Sequence, residues 1–433
     1  MSQWKIKESL PEVVVFIGFR HKRQGLEAAK KQGLKTVLMT RNNAQEAHGL
    51  FDEIIEGDIA STAFMDEAAK FLKKKYRIKG VISNYEHYVM LRAYLAQKLD
   101  VPTAPLASVA CSRNKALQRQ TLGDLPFNID FQLASTLQEA EAAFEALGRD
   151  VFLKSIAGIK SRMVFHVKTP AELKKNFTQL QSIDPDAQEN LYHKYADYSD
   201  LDYPDPTQVF LVEKAEYGQQ VTVSSFVESS GVWHAPSLVD VYPASHLGRP
   251  DSFLAFRILP SRFESKLVTR VMRATQEAAM KIELKHCPLF SEFIVKKNGE
   301  VKLIELASRM GGYRPLMYQK AYDLDLTPLM IQNAMGHPIN SNAGLPVKKY
   351  VSLIEIFPES EGILEKIESL ESLKNHSQVS NLTVLHKKGD KVGLAKNGFE
   401  PCLSFLVEGE DYEAVYQLSM HYSQRLKVVT KGN

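Results

Sequence analysis

Cysteine is scarce in this 433-residue chain, and the three present, Cys111, Cys287 and Cys402, stand far apart. They form no metal-binding spacing, and a sparse, odd set reads as reduced thiols in a reducing compartment. Long apolar runs are missing too: no stretch reaches the roughly 18 residues that suggest a membrane-spanning helix. The opening MSQWKIKESLPE lacks an apolar core of signal-peptide length, so a cytoplasmic protein is expected. Charge of one sign is also lacking. With 54 basic and 51 acidic residues interspersed and a net charge of +3, no field argues for nucleic acid or a membrane as partner. The patterns G-x-G-x-x-G, H-E-x-x-H and G-x-S-x-G are all absent, which weighs against nicotinamide-dependent, zinc-peptidase and serine-hydrolase chemistry. What is there is an ordinary globular composition, 44% hydrophobic and 24% charged. The length suggests several domains at about 150 residues each.

Strand-like and helix-like segments alternate near the start. EVVVFIGF (12–19), TVLM, FDEIIEGD and GVISNYE read as strands, with helices between them, and VPTAP closes the series. This alternation predicts a parallel α/β layer over residues 12 to about 105. Beyond it come a helix in SRNKALQRQTL, a strand in DVFLKSIAG, a helix near TPAELKKNFTQL and an Asp/Pro-rich surface loop at 195–208. A meander over 209–235 and the helix ESKLVTRVMRATQEAAMKI follow. Past Pro346, YVSLIEIFP, a helical EGILEKIESLESL and several strand pieces predict a smaller α+β tail.

The segment SEFIVKKNGEVKLIELASRMGG (291–312) places two acids inside apolar runs. Asn298-Gly299 between such runs predicts a hairpin with a two-residue type I′ turn. That register pairs Lys297 with Glu300 and sets Glu292 opposite Glu305. Like charges directly opposed across strands are destabilising, so such a pair either shares a proton or holds a cation. One or two carboxylates completed by phosphate oxygens is the usual way to hold Mg²⁺. An edge hairpin with both acids in solvent is the alternative.

Other residues are suggestive singly. Lys154 ends the apolar strand VFLK before a small-residue loop, where it could meet an anion wrapped by backbone N–H groups around Gly158 and Ser161; it could equally snorkel into solvent. Glu86 lies at the carboxyl end of a predicted strand, where open α/β sheets place ligands, or it caps the next helix. Glu213-Lys214 ends another strand just before Gly218. Arg309 follows Glu305 by four residues, and Gly311-Gly312 would let backbone approach a ligand.

In this order the pieces resemble the ATP-grasp superfamily, and within it the carboxylate–amine ligases that include L-amino acid ligases. The most specific likeness is SEFIVKKNGEVKLIELASRMGG, similar to the family's hairpin ending in Glu-x-Asn-x-Arg. The resemblance implies an α/β and α+β multidomain fold. Residues 1–106 would form a parallel α/β domain, 107–340 the two-part ATP-grasp clamp with a mobile lid at about 150–228, and 341–433 a small α+β domain. It implies ATP and Mg²⁺ (or Mn²⁺) as cofactors, with Glu292 and Glu305 as metal ligands. Lys115 and Lys154 would contact phosphates, 155–162 including Ser161 would be the phosphate flap, and Glu213, Lys214 and Ala215 would read adenine. Gln220 takes the place of the usual ribose-binding Glu. Arg309 and Lys154 would be catalytic, with Arg314 and Glu86 on the substrate side. The reaction implied joins a carboxylate and an amine, amino acids being the expected substrates, through an acyl phosphate with release of ADP and phosphate. A homodimer is the expected assembly. Ala307 departs from the family where many members have a metal-binding Asn. That departure motivates one alternative, a non-catalytic ATP-binding protein; another keeps the clamp and swaps the acceptor, as in a bicarbonate-activating carboxylase.

Overall fold

The computed structural model describes residues 10–18, 23–41, 44–158, 163–182, 204–251, 253–340 and 344–432. Strands β1 (Glu12–Ile17), β2 (Lys35–Thr40), β3 (Glu53–Glu56) and β4 (Arg77–Ile82) form a wholly parallel sheet in the order β3-β2-β1-β4. Helices Arg23–Lys31 and Thr62–Lys75 are crossovers. Val13, Val14 and Val15 are all fully buried, which is why this strand reads as an unbroken apolar run: both of its faces are covered. The chain leaves β4 at Ser83, and Glu86 opens a short 3-10 turn at the carboxyl edge of the sheet.

A second sheet is antiparallel, ordered β5-β8-β6-β7, from β5 (Phe131–Ala134), β6 (Val151–Ser155), β7 (Val164–Val167) and β8 (Phe210–Lys214). Helices Leu137–Ala146 and Pro170–Gln181 pack on it through Phe144, Leu173 and Phe177. Both start in capping boxes, Thr136 with Glu139 and Thr169 with Glu172, which satisfy orphan N–H donors at each helix start.

The largest sheet runs β14-β13-β9-β11-β12-β15-β19-β17, with β10 added on β9. Its members are β9 (Gln219–Val227), β10 (Val232–His234), β11 (Val239–Pro243), β12 (Leu254–Leu259), β13 (Cys287–Val295), β14 (Val301–Ala307), β15 (Tyr350–Ile356), β17 (Val379–Val384) and β19 (Leu403–Gly409). Helix Ser265–Lys281 packs on one face through Val271, Ala274 and Ala278, and helix Tyr412–Arg425 through Val415 and Tyr422. Helix Arg314–Tyr322 covers part of the other face through Met317, Tyr318 and Ala321. The sheet crosses the expected boundary at 340 without a break, since β12 pairs with β15 from Phe256–Ile354 to Leu259–Val351.

The structure corrects one element of the tail. EGILEKIESLESL is not a single helix: Gly362–Ile367 is strand β16, and only Leu370–Lys374 is helical. β16 sits between β18 (Lys391–Val392) and β20 (Val428–Lys431). Its backbone lies so close to β20 that a Cβ on Gly362 would stand 2.4 Å from the Lys431 carbonyl oxygen. Tertiary pairing overrides the local pattern here. The loop expected at 195–208 lies largely outside the described residues.

The link from the second sheet to the largest one, residues 215–218, is tight. A Cβ on Gly218 would stand 2.1 Å from the Val295 carbonyl oxygen. Gly218→Ala is therefore expected to force the link off the end of β13 and cost about 1–3 kcal/mol, as overpacking does. Urea unfolding of the variant checks it; an unchanged midpoint would show that the link is slack.

Candidate active site

The β13–β14 hairpin carries the acidic pair, and it departs from the expected register twice. The Lys296 N–H donates to the Glu300 carbonyl at 2.8 Å and the Gly299 N–H to the Lys296 carbonyl at 2.9 Å. The loop is thus Lys297-Asn298-Gly299, with a positive φ of 81° at Gly299. This is a three-residue loop closed by a left-handed glycine, not the two-residue type I′ turn. It pairs Val295 with Val301 and Phe293 with Leu303. Continued regularly, it would send Glu305 to the same face as Leu303, into the apolar core.

A β-bulge at Ile304 prevents that. After the bulge, Glu292 pairs with Glu305. Leu303 and Leu306 are both fully buried in one cluster with Phe293, a three-residue spacing that a regular strand cannot put on one face. The two departures cancel, so the acids face each other as the sequence predicted, through different intermediate geometry. The bulged Ile304 carbonyl is not orphaned: Arg119 donates to it from Nη2 at 2.7 Å.

Charged partners converge on this pair. Burial, and then the Glu305 charge, push the Glu292 carboxyl above its usual range. Gln220 donates to Glu292 from Nε2 at 3.3 Å. Lys115 contacts Glu305 Oε1 at 2.9 Å and donates to the Gly158 carbonyl at 2.9 Å. It begins the helix Lys115–Leu122, whose N-cap Asn114 accepts from the N–H groups of Ala116 and Leu117.

Two further ionic groups flank the acids. Glu213 at the end of β8 is buried between Arg119, at 2.6 Å, and Lys154. Burial pushes its carboxyl up, but the Arg119 and Lys154 charges outweigh that and hold it below its ordinary range. Burial draws the Lys154 ammonium down, opposed by Glu213. Glu86 pairs with Arg309 and lies 3.6 Å from Arg113. Burial opposes its ionisation, yet the Arg309 and Arg113 charges hold its carboxyl down at about 2. Glu86 is therefore an ionised partner of Arg309 rather than a helix cap. The guanidiniums of Arg309 and Arg314 both stand over the Phe290 ring, at 5.2 and 5.5 Å.

Contacts and charge couplings join Glu292, Glu305, Lys115, Lys154, Glu213, Gln220, Arg309, Glu86 and Arg314 into one cluster. The Lys214 side chain is not among them: it is exposed and 3.7 Å from Asp130. The Ala215 N–H donates to the Asp150 carbonyl. Ser161 lies outside the described residues. Gly311 serves packing rather than ligand approach, because a Cβ there would stand 2.6 Å from the Phe290 ring. Sequence reasoning missed Arg119 and Arg113. Arg119 lies four residues after Lys115 on the same helix face, a spacing that could have flagged it.

Among the described residues no group of three or more His, Cys, Asp or Glu side chains is placed to hold a metal ion. Two facing carboxylates, one of them reluctant to ionise, nevertheless fit a hard divalent cation whose remaining ligands come from a phosphate. No helix among the described residues is long and apolar enough to cross a membrane.

Residues 147–315 match the family model of the ATP-grasp domain, and the chain as a whole shares its fold with the solved structures that follow. The crystal structure of an L-amino acid ligase from Bacillus licheniformis superposes with a TM-score of 0.80 at 16% identity, covering 98% of this chain and 99% of that one. An N5-carboxyaminoimidazole ribonucleotide synthetase from Thermotoga maritima gives 0.69 at 16% identity over 98% and 100%. A biotin carboxylase–ATP complex from Campylobacter jejuni gives 0.63 at 15% identity over 94% and 89%. No curated protein matches the sequence.

Proposed function

We propose that the chain is an ATP-dependent carboxylate–amine ligase. The observation that carries the reading is the half-buried, mutually repelling pair Glu292 and Glu305, flanked by Lys115, Lys154 and Arg309. Glu292 and Glu305 would hold Mg²⁺, which when bound screens the negative charge of the ATP phosphates. Lys115 and Lys154 would hold the phosphates, and Gln220 the ribose. Glu213 would position Lys154 and, with Lys214 and Ala215, would line the adenine side. Arg309, oriented by Glu86, would face the oxygen charge that grows as the γ-phosphoryl group moves to a carboxylate oxygen. The bond to the β-phosphate oxygen breaks, ADP leaves, and an acyl phosphate remains. An amine then attacks the acyl carbon, phosphate departs with the C–O bond pair, and an amide forms as the amine loses a proton. The protein's share is positioning and charge neutralisation. The likeness to an L-amino acid ligase over nearly the whole of both chains supports amino acids as substrates.

The test is an ADP-release screen of amino acids, singly and in pairs, with mass spectrometry of the products and bicarbonate as a separate arm. An amide product of condensed mass is expected. Phosphate release that needs bicarbonate and no amine would overturn the choice of acceptor. Ala307, buried beside the acids, favours a second reading, an ATP-binding protein without turnover; ATP binding with no ADP formed in any arm would select it.

A further inference from the structure

Three successive carbonyls follow the end of β6, and two residues one position apart, Arg113 and Lys115, take all three. The Lys115 N–H donates to the Ile156 carbonyl at 2.8 Å. Arg113 donates from Nη1 to the Ala157 carbonyl at 3.3 Å, and Lys115 from Nζ to the Gly158 carbonyl at 2.9 Å. The segment that supplies these donors is itself fixed to the largest sheet. The Ser112 and Ser308 hydroxyls meet at 2.9 Å, and the Gln118 amide exchanges two hydrogen bonds with the Leu306 backbone, at 2.8 and 3.0 Å. Arg113 and Lys115 therefore dock the end of β6, and the second sheet with it, against β14.

Each of these two side chains also holds an acid, and the acids belong to different sheets. Lys115 Nζ contacts Glu305 Oε1 at 2.9 Å. Arg113 Nη1 lies 3.6 Å from Glu86 Oε1, while Arg309 takes Glu86 Oε2. Two bridges thus run side by side from the end of β6. One passes from Gly158 through Lys115 to Glu305, the other from Ala157 through Arg113 and Glu86 to Arg309. Both bridging cations are buried, where charge-assisted hydrogen bonds are strong. The bridges differ in what nucleotide would do to them. In the ligase reading Lys115 turns to a phosphate and Glu305 to the metal, so the first bridge is given up on binding. The second runs through Arg113 and Glu86, neither of which the nucleotide claims.

We infer that Arg113 is a positioning residue, which keeps the end of β6 in register with the Glu86–Arg309 pair once nucleotide has taken Lys115. The inference rests on the ligase reading and adds to it a residue that acts through Glu86 and the Ala157 carbonyl. β6 carries Lys154, two residues before Ile156. Lys154 and Arg309 would approach the transferring phosphoryl group from two different sheets, so their spacing depends on how those sheets are tied together. A misplacement of about 1 Å is enough to cost roughly 10²-fold in rate. Arg113 spans the gap with one side chain, because its forked guanidinium presents several donors at fixed angles.

The test uses the wild type, Arg113→Met, Arg113→Lys and Arg113→Gln; the last is too short to reach both partners and carries the comparison if Arg113→Met does not fold. Hydrogen–deuterium exchange is followed in peptides containing Ser155–Gly158, without ligand and with saturating Mg-ADP. Mg-ADP titration and ADP-release kinetics are run beside it. With Mg-ADP bound, Arg113→Met should exchange there about tenfold faster than the wild type, the scale of one charge-assisted hydrogen bond. Without ligand the two should agree within roughly twofold, because the Lys115 bridge is then in place. Affinity for Mg-ADP and KM for ATP should hold within roughly twofold while kcat falls about 10- to 100-fold, and Arg113→Lys should recover part of both effects. Exchange that rises equally with and without ligand would mean that Arg113 only supports the fold, which overturns the inference. So does a variant that matches the wild type in both states. Failure of the ligase reading is seen separately, as a wild type that binds Mg-ADP yet forms no ADP with any substrate pair, and the exchange data then still decide the bridge. A wild type that does not bind Mg-ADP overturns both.

Discussion

The Glu305→Gln protein is expected to lose magnesium-dependent ADP formation by at least about 10²–10³-fold in kcat, the scale of removing one preorganised charge-stabilising group. The substitution keeps volume and hydrogen-bonding shape, so the hairpin and its bulge should persist. What goes is half of the negative charge that would make the site attractive to a divalent ion. Glu292 then ionises more readily, because the second cause of its raised pKa is the Glu305 charge. Thermal melts supply the control. Mg-ATP should raise the wild-type melting temperature through linkage, while the variant should melt at the same temperature with or without Mg²⁺. Full turnover in the Glu305→Gln protein would remove the metal role and the proposed chemistry with it.

Glu213→Gln should have the largest structural effect. Glu213 is the only carboxylate contacting Arg119 and Lys154 among the described residues, and all three are buried. Neutralising it leaves two buried cations side by side, a cost of about 3–5 kcal/mol for breaking a buried pair from one side. The damage should spread, because Arg119 also serves the bulged carbonyl of Ile304 and Asn128 Oδ1. Weaker ATP binding is expected along with lower stability. Paired denaturation and nucleotide titrations measure both, and a Glu213→Gln protein as stable as the wild type would show that the triad contributes nothing net.

The N-terminal parallel sheet was legible because strands buried on both faces are written as continuous β-branched runs, as Val13–Val15 are. The acidic hairpin and its Glu292–Glu305 pairing were legible through Asn298-Gly299, although the three-residue loop and the bulge were not. Ile304 looks like any strand residue, and nothing local says that it is the extra one; only the need to keep Leu303 and Leu306 in the same core reveals it. Arg119 was missed because a helical arginine is ordinarily solvated, and its partners Glu213 and Ile304 lie far away in sequence. The tail misled because EGILEKIESLESL is rich in helix formers, whereas its strand is imposed by β18 and β20.

The unbroken run of pairing from β12 into β15 has one more consequence. A chain cut near residue 340 would not shed an appendage; it would strip one of the two hydrogen-bonded neighbours from Leu254–Leu259 and leave a raw apolar edge open to neighbouring molecules. Such a fragment should precipitate rather than behave as a minimal catalyst, and Arg257 on that strand would lose Glu355, the acidic residue that steadies it.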